Sequence, residues 1–187
     1  PVEAAWTPKL GAAGLPGTYL VGAWYSTADA DDVLLGADGA PRPLTDAPAL
    51  RRPNSYGAYL SFEQQVSGQP DGPGVTVFLN AAQTDRRTTR LDRQVAAGVA
   101  WKGALAARPD DEIALAVGTT HVNARAARAE RLAGKPAPGS ETAVELDYRF
   151  QGPQGLTVVP NLQYVHHPGG LDRTAAVVAG LKVVVGL

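Results

Sequence analysis

Hydrophobic and polar positions alternate with a period of two over three long runs in the last third of the chain. In 140–151 the odd positions are Glu141, Ala143, Glu145, Asp147, Arg149 and Gln151, while the even ones are Ser140, Thr142, Val144, Leu146, Tyr148 and Phe150. Run 156–167 sets Leu156, Val158, Pro160, Leu162 and Tyr164 against Thr157, Val159, Asn161, Gln163, Val165 and His167. Run 173–187 sets Ala175, Val177, Ala179, Leu181, Val183, Val185 and Leu187 against small residues and Lys182. A strand sends successive side chains to opposite faces, so each run predicts a strand with one polar and one apolar face. The runs are 12 to 15 residues long, well beyond the usual ~5–6 of globular strands. That is the length a tilted strand needs to cross a bilayer.

Weaker or shorter alternation marks 3–10, 18–27, 55–66, 74–84, 91–102 and 112–123, giving about nine strand candidates in an all-β, antiparallel arrangement. Segment 124–139 opens with helix-forming residues; Asn123 as N-cap and Gly134 as stop predict a short surface helix, with Arg125, Arg128 and Arg131 on a solvated side. If Leu187 lies at the inner end, connections 10–17, 67–73, 103–111 and 152–154 share that end, and 28–54, 85–90, 124–139 and 168–172 lie opposite. Both long connections then fall on one side, the short-turn, long-loop asymmetry of outer-membrane barrels. Trp24, Tyr25 and Tyr164 lie toward the loop ends and Trp101, Tyr148 and Phe150 toward the turn ends, as two interfacial girdles would. Closed bacterial single-chain barrels have an even strand number, so an odd count predicts further strands outside this chain.

Alternation alone leaves the inner face open. A lipocalin-like soluble barrel would turn the apolar face inward. Strand length, and a polar face that mixes both charge signs with small residues, favour lipid outside and a water-filled lumen inside.

Net charge −1 and a pI near 6.4 give no reason to expect a nucleic-acid partner. The absence of cysteine removes disulfides and thiolate metal sites. No apolar run approaches the ~20 residues of a membrane-spanning helix, so a membrane crossing here would use strands. A chain that begins at Pro1 and holds no methionine reads as processed or as part of a longer protein. His166 and His167 are expected on opposite strand faces, which argues against a shared metal ion, and no cofactor is expected. Glu141 and Glu145 share a face but lie ~13 Å apart in a strand, too far for a glycosidase pair. With no nucleophile motif or phosphate loop in view, the chain is not expected to be an enzyme.

Ordered motifs run through nearly the whole chain: AAWTPKL at 4–10, LPGTYLVGAWYSTADADD at 15–32, SYGAYLSFEQQV at 55–66 and GVTVFLNAAQTD at 74–85. They continue with AGVAWKGALAARPDDEIALAVGTTHV at 97–122, ETAVELDYRFQ at 141–151 and LTVVPNLQYVHHPGG at 156–170. In this order the chain resembles the C-terminal half of the carbohydrate-selective porins of the OprB type. The resemblance implies a sixteen-stranded transmembrane β-barrel of the outer membrane that lets sugars diffuse into the periplasm, this chain forming the C-terminal part of that single barrel domain. Two positions depart from the pattern: Asn161 stands where the family usually carries Asp, and the chain stops at Leu187 rather than at an aromatic residue.

Sugar passage needs a lumen of donors and acceptors that replace the sugar's water at weak affinity. The mid-height luminal candidates are Glu145, Asp147, Asn161, Gln163 and Lys182, followed by Asn80, Tyr59, Glu63 and Arg149. Glu145, Asp147, Arg149 and Lys182 are also expected to form a salt-bridge network along the wall. Ala96, Gly98, Ala100, Ala114, Ala116 and Gly118 leave an almost side-chain-free patch, into which a loop from 28–54 is expected to fold and narrow the pore. Expected partners are small carbohydrates, outer-membrane lipid and lipopolysaccharide, and two further copies in a homotrimer. The competing reading is a non-conducting structural barrel or a subunit of an envelope complex.

Overall fold

The structure, a computed structural model, describes residues 1–186. Leu187, the residue used above to set the inner end, lies outside them. In chain order the elements are β1 (Val2–Trp6), β2 (Lys9–Leu10), β3 (Leu15–Ser26), β4 (Ala30–Gly36), β5 (Ala49–Arg52), β6 (Ser55–Gln65) and β7 (Gly74–Thr84). They continue with β8 (Leu91–Lys102), β9 (Glu112–Val122), α1 (Ala124–Leu132), β10 (Ser140–Gln151), β11 (Leu156–His166) and β12 (Ala176–Val185). One sheet runs β1-β3-β6-β7-β8-β9-β10-β11-β12, with β2 also paired to β3. Every ladder is antiparallel. The nine expected strands are therefore present, the first broken after Trp6, and the sheet stays open between β1 and β12.

Register preserves the two faces across the sheet. Gly98 opposes Ala116, Ala116 opposes Glu145, Glu145 opposes Gln163, and Gln163 opposes Val178. Because side chains repeat every two residues, a one-residue slip in any ladder would exchange the faces. On the other side Val99, Leu115, Leu146 and Leu162 line up in the same way. Leu146, Leu162 and Leu181 are 48%, 50% and 69% exposed. The inward-facing apolar core of a lipocalin-like barrel is absent among the described residues: the buried hydrophobic side chains are Leu34, Val122, Ala126 and Ala127, all at the loop end. Such an apolar surface needs a non-aqueous neighbour.

The loop end folds into a cap. Segment 28–54 carries the β4–β5 hairpin, whose Val33 N–H donates to the Arg87 carbonyl at 2.8 Å, and it packs on α1. Asp32 is fully buried there, accepting from the Leu34 and Leu35 amides and from the Arg52 and Arg125 guanidinium groups. The expectation that this segment enters the lumen is overturned. These bonds hold it over the loop end, and Gly98 is approached by the Phe78 ring and Gly118 by Ala96.

Asn123 caps α1 as predicted: its Oδ1 accepts from the Arg125 amide at 2.9 Å, while its Nδ2 donates to the Arg86 and Thr89 carbonyls at 2.5 and 2.8 Å. Asn123→Ala removes all three bonds and should cost about 1–2 kcal/mol of cap stability, measurable as faster amide hydrogen exchange across 124–132.

At the turn end, Arg108 donates to both Asp111 carboxylate oxygens at 2.9 Å and its guanidinium lies 4.3 Å from the centre of the Phe150 ring. The Arg108 bonds, with those from Tyr148 and the Gln151 amide, hold the Asp111 carboxyl below the usual carboxylate range despite its burial. The Arg108–Asp111 pair thus ties the 103–111 turn to the end of β10, where Arg108 also donates to the Gln151 carbonyl and the Gln151 amide donates to Asp111. Aromatics divide as girdles require, with Tyr25 facing Tyr56 near the loop end and Trp6, Tyr19 and Phe62 in a row with centroids 5.4 and 5.5 Å apart near the turn end. Trp24 departs from the expected girdle, because it shares the polar face with Gly22 and Gly57.

Candidate functional site

The polar face gathers the predicted residues into two groups. On β10–β12, Glu145, Asp147, Arg149, Asn161 and Lys182 line a concavity of about 350 Å³ together with Thr157 and Val159. Asn161 Nδ2 donates to Glu145 Oε1 at 3.2 Å, and Gln163 Nε2 donates to Glu145 Oε2 at 2.9 Å. Both amides sit within one register step of Glu145, since Gln163 is its direct partner and Asn161 pairs with Asp147. The carboxylate is thus held by neutral donors, which leaves its charge uncompensated by a cation and its orientation fixed.

The expected salt-bridge network does not form. Among the described residues no ion pair joins Glu145, Asp147, Arg149 and Lys182 to one another; Arg149 instead pairs with Glu112 at 3.6 Å. Register explains this, because Glu112 stands directly opposite Arg149 on β9 whereas Ala116 and Ala114 stand opposite Glu145 and Asp147. Lys182 faces Val159 on β11 and is carried on the same wall. An acidic pair and a cation thus stand beside a neutral amide pair on adjacent strands, a surface able to exchange hydrogen bonds with a polyhydroxyl solute.

The second group lies on β6 and β7. Tyr59 Oη donates to Glu3 Oε2 at 2.5 Å, and the Ser61 hydroxyl donates to Asn80 Oδ1 at 2.6 Å. Glu63 sits lower, in a depression of about 260 Å³ shared with Thr18, Thr76, Lys102 and Glu112 near the turn end. Glu3 and Glu112 were not among the predicted site residues. Their partners became visible only through register, since Glu3 is 56 positions from Tyr59.

The histidine pair behaves differently from the strand expectation. His167 adopts the left-handed conformation, φ 52°, and so leaves the alternation, which brings its ring to 3.7 Å from that of His166. Among the described residues, no group of three His, Asp or Glu side chains is placed to hold a metal ion.

The family model for the carbohydrate-selective porins, OprB family, matches residues 1–187. This chain belongs to that family. Porin B of Pseudomonas aeruginosa is 37% identical over 199 residues, covering 98% of this chain and 44% of that protein. The putative porin QuiX of Acinetobacter baylyi is 32% identical over 203 residues, covering 98% and 43% respectively. The high-pH structure of Pseudomonas putida OprB has a TM-score of 0.92 at 36% identity over 97% of this chain and 46% of that one. The low-pH structure of the same-named protein gives 0.59 at 28% identity, covering 97% and 44%. The chain therefore spans less than half the length of these relatives, and its strands are those of an outer-membrane β-barrel porin. Among the described residues no helix is long and apolar enough to cross a membrane, so the crossing elements of this porin segment are strands.

Proposed function

We propose that this chain is the C-terminal part of a single outer-membrane barrel, sixteen-stranded when complete, through which small sugars diffuse passively toward the periplasm. The observation that carries the reading is the polar wall of Glu145, Asp147, Asn161, Gln163 and Lys182 on the face opposite the exposed Leu146, Leu162 and Leu181. The two faces meet different solvents, hydrocarbon on one side and water on the other. Pore-lining side chains act here as exchange partners for sugar hydroxyls, so no catalytic step and no cofactor is involved. Lipid and lipopolysaccharide cover the apolar face, and a homotrimer would use part of that same face. Tyr59, Glu63, Asn80 and Arg149 extend the polar surface toward the rest of the wall.

The test is liposome swelling with the full-length porin and sugars of graded size. Swelling above that of empty vesicles, falling as the sugar grows, is the expected result. A rate equal to empty vesicles at every size would assign the barrel a structural role instead.

A further inference from the structure

The outward wall carries one full charge. Arg93 on β8 shares its face with Val95 and Val99, and Val99 stands in one row with Leu115 and Leu146. Among the described residues it is the one Lys, Arg, Asp or Glu at an outward-facing strand position, since Lys102, Glu112, Glu145, Arg149 and Lys182 share the polar side. Its neighbour Asp92 does not neutralise it. Asp92 lies at a register shift between Leu91 and Arg93 and is 3% exposed; Arg86 pairs with its Oδ2 at 2.9 Å, and His121 Nδ1 lies 2.6 Å from its Oδ1. Arg93 stays exposed, with no ion pair among the described residues.

Depth along the strand places this charge. Arg93 is six residues from Val99 and the Leu115–Leu146 row. At a rise of ~3.3 Å per residue and a tilt of ~45°, six residues cover about 14 Å of depth, close to half of a ~30 Å hydrocarbon layer. The guanidinium therefore stands at the boundary between hydrocarbon and headgroups on the loop-end side. Gln83 opposes Arg93 on β7 and His121 opposes it on β9, so the whole level is polar. Just inside it the wall turns apolar. There the small Ala58 and Ala81 are flanked by Leu60 and Val95, leaving a groove of about 350 Å³ whose loop-end rim is Gln83 and Arg93.

A cation at this depth without a carboxylate calls for an anion from outside the chain. The long-loop side of an outer-membrane barrel faces the outer leaflet, where lipopolysaccharide presents phosphates at headgroup level and acyl chains beneath them. A guanidinium binds phosphate through two parallel N–H···O bonds, and the groove below it gives an acyl chain apolar surface to cover. A second copy of this wall is a poorer match, because its outward strand positions hold no carboxylate to meet Arg93 among the described residues. We propose that Arg93 and the groove beneath it seat one lipopolysaccharide molecule, with a phosphate on the guanidinium beside Gln83 and an acyl chain along Ala58 and Ala81. The proposal rests on the outer-membrane barrel reading, long loops outward, and does not depend on sugar passage.

The test uses the full-length porin in detergent micelles, titrated with bisphosphorylated lipid A or its dephosphorylated form and read by native mass spectrometry. Wild type should bind the bisphosphorylated form roughly three- to tenfold more tightly. Arg93→Gln should lose that preference, while Arg131→Gln, at an exposed position of α1, should keep it. Ala81→Trp fills the groove and should weaken both forms alike. Sugar swelling of the Arg93→Gln and Ala81→Trp porins should match wild type. No phosphate preference in wild type, its retention in Arg93→Gln, an equal loss in Arg131→Gln or unchanged binding in Ala81→Trp would each overturn the seat. Displacement of lipid A by equimolar inorganic phosphate would overturn it too, as would a change of oligomeric state in Arg93→Gln with lipid binding unchanged, which would give the groove to a second copy. Wild-type porin that binds lipid A as expected but gives no sugar swelling would support the seat and remove the channel reading alone.

Discussion

Asp32→Asn is expected to open the loop-end cap while leaving the barrel wall intact. The Asp32 side chain is 0% exposed; its Oδ1 accepts from the Leu34 and Leu35 amides and from Arg125, and its Oδ2 accepts from Arg52 and Arg125. Removing the charge leaves two cations facing each other without their counter-ion. Breaking a buried pair in this way costs about 3–5 kcal/mol, and the low end applies because Arg52 and Arg125 retain 26% and 31% of their side-chain exposure. Burial alone would push the Asp32 carboxyl up, but the Leu35 and Leu34 amides and the two arginines outweigh it and bring its pKa down from 3.8 to about 2. A group with a depressed pKa stabilises above its unfolded value and loses that contribution as pH falls through the folded one. The cap should therefore be insensitive to pH above about 4 and loosen between about 4 and 2. Proteolysis of 28–54 in outer-membrane preparations reads both effects: the variant should be cut at neutral pH, and wild type only in acid. Equal resistance of variant and wild type at neutral pH would show that Asp32 does not hold the cap.

Which parts of this architecture were legible in the sequence follows from how far apart the interacting residues lie. Period-two alternation reports a strand's own two faces, and so Glu145, Asp147, Asn161, Gln163 and Lys182 were assigned to one wall before any pairing was known. The α1 cap was equally local, because Asn123 satisfies the amide of a residue two positions on. The β4–β5 hairpin was not legible. It spans only seven and four residues, and its anchor, Asp32, bonds to Arg125 across 93 positions. The same anchor explains why segment 28–54 stays over the loop end instead of entering the lumen. Alternation misled where the backbone leaves the strand, as at His167, whose positive φ brings it against His166. Trp24 shows a second limit, for an aromatic near a strand end reads as a girdle residue until its face is taken into account. Arg149 shows a third: composition offered Glu145 and Asp147 as partners, yet register placed Glu112 opposite it.

Leu146→Arg should destabilise the folded barrel by about 2–4 kcal/mol, the cost of a cation at the bilayer midplane on a lipid-facing strand position. Leu146 lies near the middle of β10, opposite Leu115 on one side and Leu162 on the other, and it is half exposed with only apolar neighbours in register. Hydrocarbon offers a guanidinium no hydrogen-bond partner, so the charge must reach toward the headgroups or thin the bilayer around itself. The adjacent position supplies the control. Asp147→Arg changes charge by more than Leu146→Arg does, but its side chain projects to the polar wall beside Asn161 and Ala114, where water remains available. Refolding into lipid vesicles, followed across a denaturant series, should show a large shift in midpoint for Leu146→Arg and a small one for Asp147→Arg. The reverse ranking would mean that Leu146 faces the aqueous interior, and the assignment of hydrocarbon to that face would fall with it.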